Sequence, residues 1–165
     1  MRTLLLTFSL LFFSEASRGD WVVVGVAYQC SPQEQKFVLA ATADSSSGPL
    51  RLNGLSSYTQ LPDGETKIQC KLPTADITTE IVVWPPADRG MCHGIGVINF
   101  PGLSINGSMA VNPENFGDGC FFEPTLARIE VHSNAKKISV TTCYESDIGS
   151  EQECEEKQLP ITGKN

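Results

Sequence analysis

Two neighbouring stretches carry the clearest strand pattern in the chain: Leu126-Ala-Arg-Ile-Glu-Val-His132 and Lys136-Lys-Ile-Ser-Val-Thr-Thr-Cys-Tyr144. Apolar residues recur at alternate positions in each stretch, and the side chains of a β-strand alternate between its two faces. Ser133-Asn-Ala135 between them is typical of a turn, so the pair predicts a β-hairpin. A helix over 125–132 is the competing interpretation, which the β-branched residues disfavour. The residues predicted to face the core are Ile129, Val131, Ile138 and Val140.

Comparable strand patterns cover much of the chain. Residues 21–28 (WVVVGVAY) are apolar on both faces, which predicts a strand covered on both sides near the middle of a sheet. Residues 65–72 alternate, with Ile68, Cys70 and Leu72 on one face and polar residues on the other. Further predicted strands are 37–43, 77–84 and 103–111, the last interrupted by Asn106-Gly107, and residues 112–119 are predicted to form a loop.

These short strands, with turn residues between them and no sustained helical period, predict a single all-β domain. We expect an antiparallel β-sandwich or a small barrel of about eight strands, stapled by disulfides. The domain is predicted to span 17–144 and to be followed by an acidic C-terminal tail, 145–165, which Cys154 pins to it.

The first 16 residues have the composition of a secretory signal peptide. Arg2 gives a positive start, residues 3–13 form an apolar run, and Ser14-Glu-Ala16 places small residues at a signal-peptidase site. The run has about half the length of a membrane-spanning helix, so we expect removal rather than retention as an anchor. The mature chain is predicted to be secreted or periplasmic.

All six cysteines follow the predicted cleavage site, and an even count in an exported chain favours disulfides. Cys30 and Cys70 lie on inward faces of their strands, so their sulfur atoms can meet in the core. Cys143 points outward from the hairpin and Cys154 lies in the polar tail. The predicted pairs are Cys30–Cys70, Cys143–Cys154 and, by elimination, Cys92–Cys120.

The spacing of Cys70, Trp84 and Cys143 resembles the cysteine–tryptophan–cysteine core of immunoglobulin variable domains. The resemblance implies an immunoglobulin-like sandwich as an alternative fold. The chain departs from that pattern at Thr141, where the family has a tyrosine two residues before the second cysteine. Its four further cysteines are also outside the pattern.

The chain carries a formal net charge of -7 and has no basic stripe. This charge disfavours nucleic acids and anionic membranes as partners. The cysteines and histidines lack the Cys-x-x-Cys and His-x-x-x-His spacing of zinc sites. No metal or other cofactor is predicted.

Residues 89–96 (RGMCHGIG) combine reactive side chains with three glycines. His93 as an acid–base group beside Arg89 would suit a small hydrolase or a metal-dependent enzyme. No second catalytic partner can be placed and no Gly-x-Ser-x-Gly motif is present, so a stapled structural corner is the favoured interpretation and no catalytic residue is predicted. The candidate binding residues, which a Cys92–Cys120 bond would bring together, are Trp84, Arg89, His93, Glu114 and Asp118.

Two further motifs have simpler explanations. Residues 112–118 offer oxygen ligands for calcium, but they do not match an EF-hand, and a solvated loop is favoured. Asn106-Gly-Ser108 is a glycosylation sequon that matters only in a eukaryotic source, and its Asn-Gly pair also suits a hairpin turn.

The sequence therefore predicts an exported, non-catalytic protein that binds a protein or a surface glycan through rigid loops. An inhibitor or immunity-type protein fits the size and acidity. The alternatives are a small secreted hydrolase or metal-dependent enzyme using His93 and Arg89, and a structural protein of an envelope or extracellular matrix.

The predicted signal peptide can be tested by the start of the exported chain. Expression of the full chain with a secretion system should yield a mature protein that begins at Ser17. Intact-mass spectrometry and N-terminal sequencing of the exported fraction measure this start. An exported chain that retains Met1 would contradict the predicted signal peptide.

Overall fold

The structure, a computed structural model, describes residues 22–44, 55, 57–83, 98–116, 125–145 and 151–161. Twelve strands and no helix lie in these ranges. The strands are β1 (Val22–Ser31), β2 (Lys36–Asp44), β3 (Thr59–Gln60), β4 (Gly64–Lys71), β5 (Asp76–Val83), β6 (Ile98–Phe100), β7 (Leu103–Ile105), β8 (Ser108–Val111), β9 (Glu114–Asn115), β10 (Thr125–Ser133), β11 (Ile138–Glu145) and β12 (Glu153–Leu159).

The strands form two antiparallel sheets that pack together as a sandwich, which confirms the predicted all-β class. The first sheet has the order β12-β11-β10-β2-β1-β3. The second has the order β8-β7-β5-β6-β9, and β4 pairs with β5. Short strands account for the larger strand number: β3 and β9 have two residues each, and the stretch at 103–111 forms β7 and β8 on either side of the predicted interruption at Asn106-Gly107.

The hairpin of β10 and β11 is confirmed with the predicted inward face. Val131 lies opposite Val140, and both are buried. The Asn134 side chain forms the turn, because its Oδ1 atom accepts hydrogen bonds from the backbone N–H groups of Lys136 and Lys137 at 2.9 and 3.0 Å. A side chain that bonds to the backbone two and three residues onward fixes the chain reversal.

The core lies between the sheets and is built from their alternating apolar residues. The aromatic rings of Phe100 and Phe116 pack at a centroid distance of 5.3 Å. The largest fully buried side chains are Phe37, Phe116, Leu39, Ile68, Ile77, Ile81, Leu103, Leu126, Ile129, Ile138, Val26 and Val38.

The first strand is covered on both faces, as predicted, but its place in the sheet differs from the prediction. Val26 faces the main core, whereas Ala27 packs with Ala40 and Leu55 on the other side. β1 pairs with β2 along its length and with β3 over two residues, so it lies next to the sheet edge and not in the middle. Leu55, which lies between β2 and β3 in the sequence, covers Ala27 and Ala40 on this second face. The sequence pattern predicts that this face is covered, but not which segment covers it.

Two disulfides join the described cysteines, and both match the predicted pairs. Cys30–Cys70 connects β1 to β4 and therefore ties the two sheets together. Cys143–Cys154 connects directly opposite residues of β11 and β12. This pairing shows that Cys70 and Cys143 do not form the cross-sheet bond of immunoglobulin variable domains. Cys92 and Cys120 lie outside the described residues.

The segment predicted as an acidic tail contains a strand of the sandwich. β12 extends the first sheet beyond β11, so the domain continues past the predicted boundary at residue 144. Cys143 has the predicted outward parity, opposite to Ile138 and Val140, yet it is buried rather than exposed. The predicted loop at 112–119 likewise contains β9, which pairs with β6.

Asn106 ties the β7–β8 turn to the start of β5 and to the residues just before it. It adopts a positive φ of 53°, as the Asn-Gly turn predicts. Its Oδ1 atom accepts a hydrogen bond from Asp76 N–H at 2.8 Å, and its Nδ2 atom donates one to the Thr74 carbonyl at 3.2 Å. Both ends of the carboxamide are therefore engaged by the fold, which supports the turn interpretation of the sequon.

Asn106→Ala should lower the free energy of unfolding by about 1–3 kcal/mol, because it removes two hydrogen bonds and strains a positive φ. Asn106→Asp retains the acceptor for Asp76 N–H and should lose less. Urea denaturation of both variants measures the difference. Equal stability of the alanine variant and the native chain would contradict this role.

Candidate functional site

Most of the predicted site lies outside the described residues, namely Trp84, Arg89, His93 and Asp118. Their predicted contact with one another stays a prediction, as does the alternative that His93 and Arg89 catalyse a reaction. Glu114 is described: it is an exposed residue of β9, opposite Phe100 of β6.

Strand β12 is exposed to a degree unusual for a strand of a sandwich. Every residue from 153 to 158 is exposed, and only Leu159 is half-buried. Leu159 and Ile161 reach the core, while the rest of the strand is held by its pairing with β11 and by the Cys143–Cys154 disulfide. We call residues 141–145 and 153–159 the β12 flange, because they extend the first sheet at its edge.

Glu114 lies beside this flange. The Tyr144 hydroxyl of β11 lies near the Glu114 carboxylate and the Thr142 hydroxyl. Glu155, opposite Thr142 in the sheet, is close enough to act electrostatically on Tyr144. One predicted binding residue is thus joined to residues that the sequence had not singled out.

The carboxylates around Tyr144 favour contact with a cationic group. Burial raises the pKa of Tyr144; the Thr142 hydrogen bond opposes this effect, and the Glu114 and Glu155 carboxylates raise the pKa further. Tyr144 therefore stays a neutral donor with an aromatic ring beside carboxylates. Aromatic rings and carboxylates both attract ammonium and guanidinium groups.

Opposite charges are instead paired on the outer face of the first sheet. Arg128, Glu130 and His132 follow one another at alternate positions of β10, and Lys36 lies opposite His132 on β2. Glu130 accepts a hydrogen bond from Arg128 Nε at 2.6 Å, and its Oε2 atom lies 3.6 Å from Lys36 Nζ and 3.3 Å from His132 Nε2. This arrangement holds β2 against β10 through their side chains.

A shallow groove of about 270 Å³ crosses the outer face of the second sheet. Lys67 and Glu80 on its wall pair with each other at 3.4 Å, and Met109 is half exposed at its side. The paired charges give the groove no net preference for a charged ligand. Its chemistry is less selective than that of the flange.

The flange shows which sequence signals are informative and which are not. Residues 153–158 have no apolar alternation, so periodicity predicts a tail. The predicted Cys143–Cys154 pair was the available signal, because cross-strand disulfides place their flanking residues side by side. Tyr144 and Glu155 are the residues that directly follow the two cysteines, so the pairing predicts that they lie near each other.

The described ranges contain no group of three metal-ligating side chains and no helix long and apolar enough to cross a membrane.

The pH dependence of stability should report on Glu130. Burial opposes its ionisation, but Arg128, Lys36 and the hydrogen bonds from Arg128 and His132 outweigh burial and lower its pKa below 4.5. A lowered carboxyl pKa stabilises the fold above the usual pKa, and the stabilisation is lost as pH falls through the lowered value. Glu130→Gln should therefore cost stability at neutral pH and progressively less in acid.

Denaturant unfolding of both chains from pH 7 down to about 2 measures this convergence. Glu80→Gln is the control, since its exposed pair with Lys67 contributes little at any pH. A Glu130→Gln deficit that stays constant over this range would contradict the assignment.

A comparison with protein families, curated proteins and solved structures found no match to this chain.

Proposed function

We propose that the protein is an exported, non-catalytic binding protein whose partner is a protein with a basic contact surface. The observation that carries this proposal is a strand that is exposed along its length yet covalently held in the sheet. Two disulfides are typical of proteins in an oxidising, extracytoplasmic compartment, which agrees with the predicted signal peptide.

The charge of the flange supports a protein partner over a neutral glycan. Glu153, Glu155 and Glu156 outnumber Lys157 on β12, and Glu114 adds a further carboxylate at its base. Complementary charge steers two proteins together and selects among partners. An inhibitor or immunity-type protein would act by this means, occluding a basic surface through a rigid contact without turnover.

The rigidity of the surface supports the same proposal. Cys143–Cys154 fixes the register of β12 before any partner arrives. A preformed surface avoids the entropic cost of ordering a segment on binding. A stapled strand therefore serves recognition better than a free acidic tail of the same composition.

The proposal is tested with the mature protein and a photocrosslinking residue at position 157. A partner captured from native extract is purified, and its affinity is measured by calorimetry. Glu114→Lys combined with Glu155→Lys should weaken binding about tenfold or more, because both reverse charges at the flange. Glu34→Lys combined with Glu65→Lys changes the net charge equally at exposed positions elsewhere, and binding should persist.

Equal affinities of the two double variants would exclude the flange as the contact surface. Failure of the native protein to bind any purified partner would overturn the binding function itself. Assembly of the pure protein into high-mass species would favour the structural alternative.

A further inference from the structure

The register of β12 determines which of its backbone groups face outward. Cys143 and Cys154 are directly opposite, with their Cα atoms 4.0 Å apart. Opposed residues of an antiparallel pair lie about 4.5 Å apart when they do not exchange hydrogen bonds and about 5.5 Å when they do. Cys154 is therefore a non-hydrogen-bonded position, and its N–H and C=O groups point away from β11.

Alternation extends this orientation along the strand. Glu156 and Gln158 share the parity of Cys154, so their N–H and C=O groups also point to the free side. Glu153, Glu155 and Lys157 bond to β11 instead. Among the described strands, β12 pairs only with β11. Its outward N–H and C=O groups are therefore placed to pair with a further strand.

We propose that the free edge of β12 binds an extended, basic segment of a partner protein as an added strand. This inference rests on the proposed binding function and specifies its geometry. Backbone hydrogen bonds to the edge groups supply affinity in this mode of recognition, and side chains at alternate positions supply specificity.

The acidic side chains determine which strand the edge accepts. An antiparallel strand from a second copy, centred on Glu156, would place the two Glu156 carboxylates opposite each other. Like charges directly opposite in a sheet are destabilising. The same register also places Glu155 of each copy opposite Lys157 of the other, but each copy of β12 carries three glutamates and one lysine, so two copies repel overall. Lysine or arginine at alternate positions of an added strand would instead lie on one face, beside the Glu156 carboxylate.

A synthetic peptide that alternates lysine with threonine tests this pairing. We expect it to bind the mature protein in fluorescence anisotropy at low salt, and to protect the amides of Glu156 and Gln158 from hydrogen exchange. The same peptide with N-methylated amides on its pairing side should bind about tenfold more weakly, because the edge loses hydrogen bonds. A glutamate–threonine peptide should not bind.

The protein side of the contact has a matched pair of variants. Gln158→Pro removes an outward N–H group without changing the charge, and proline is tolerated where a strand's N–H faces away from its neighbour. It should weaken peptide binding about tenfold, whereas Gln158→Ala should bind like the native chain. Glu156→Pro, compared with Glu156→Gln, repeats the test at a second outward position if one proline variant fails to fold.

Equal binding of the methylated and unmethylated peptides would overturn strand addition. So would a folded proline variant that binds like its control, or a native chain that binds neither peptide. A native chain that forms dimers without peptide would assign the edge to a second copy and would likewise overturn the proposal. If strand addition fails but the purified partner still depends on Glu114 and Glu155, the binding function stands with a different geometry.

Discussion

The Cys30–Cys70 bond is the covalent link between the inner faces of the two sheets among the described residues. It connects β1 of the first sheet to β4 of the second across 40 residues of chain. Closing a loop of that length stabilises a fold by about 4 kcal/mol in the chain-entropy model. With the sheets held together, the alternating apolar residues of both can bury one another.

The second disulfide holds an exposed strand at the sheet edge and does not link the two sheets. Cys143–Cys154 lies on the outer parity of β11 and closes a loop of only 11 residues. It holds a strand whose residues bury little apolar surface apart from Leu159. A segment with so little burial gains little stability by joining the sheet, so the covalent bond and the β11 ladder keep it in place.

Much of the fold was predictable because burial leaves a periodic pattern. Val131 and Val140 face the core as the alternation predicts, and the parity of Cys30 and Cys70 correctly paired two inward sulfur atoms. β12 was not predictable from period, since an exposed edge strand needs no apolar face. The cover that Leu55 provides over Ala27 was equally hidden, because it depends on tertiary packing.

The candidate site was less predictable than the fold. Glu114 was selected from the sequence, but its contacts with Tyr144 depend on how β9 and β11 are placed by the sandwich. The charged group around Glu130 does leave a signal, since Arg128, Glu130 and His132 alternate along one strand. That signal gives a shared face, but not the Lys36 partner from another strand.

Amide hydrogen exchange in the free protein measures the register and orientation of β12, on which the proposed binding edge depends. Slow exchange is predicted for the N–H groups of Glu153, Glu155 and Lys157, and fast exchange for those of Cys154, Glu156 and Gln158. Uniformly fast exchange from 153 to 158, or the opposite alternation, would contradict a stapled strand with a free edge.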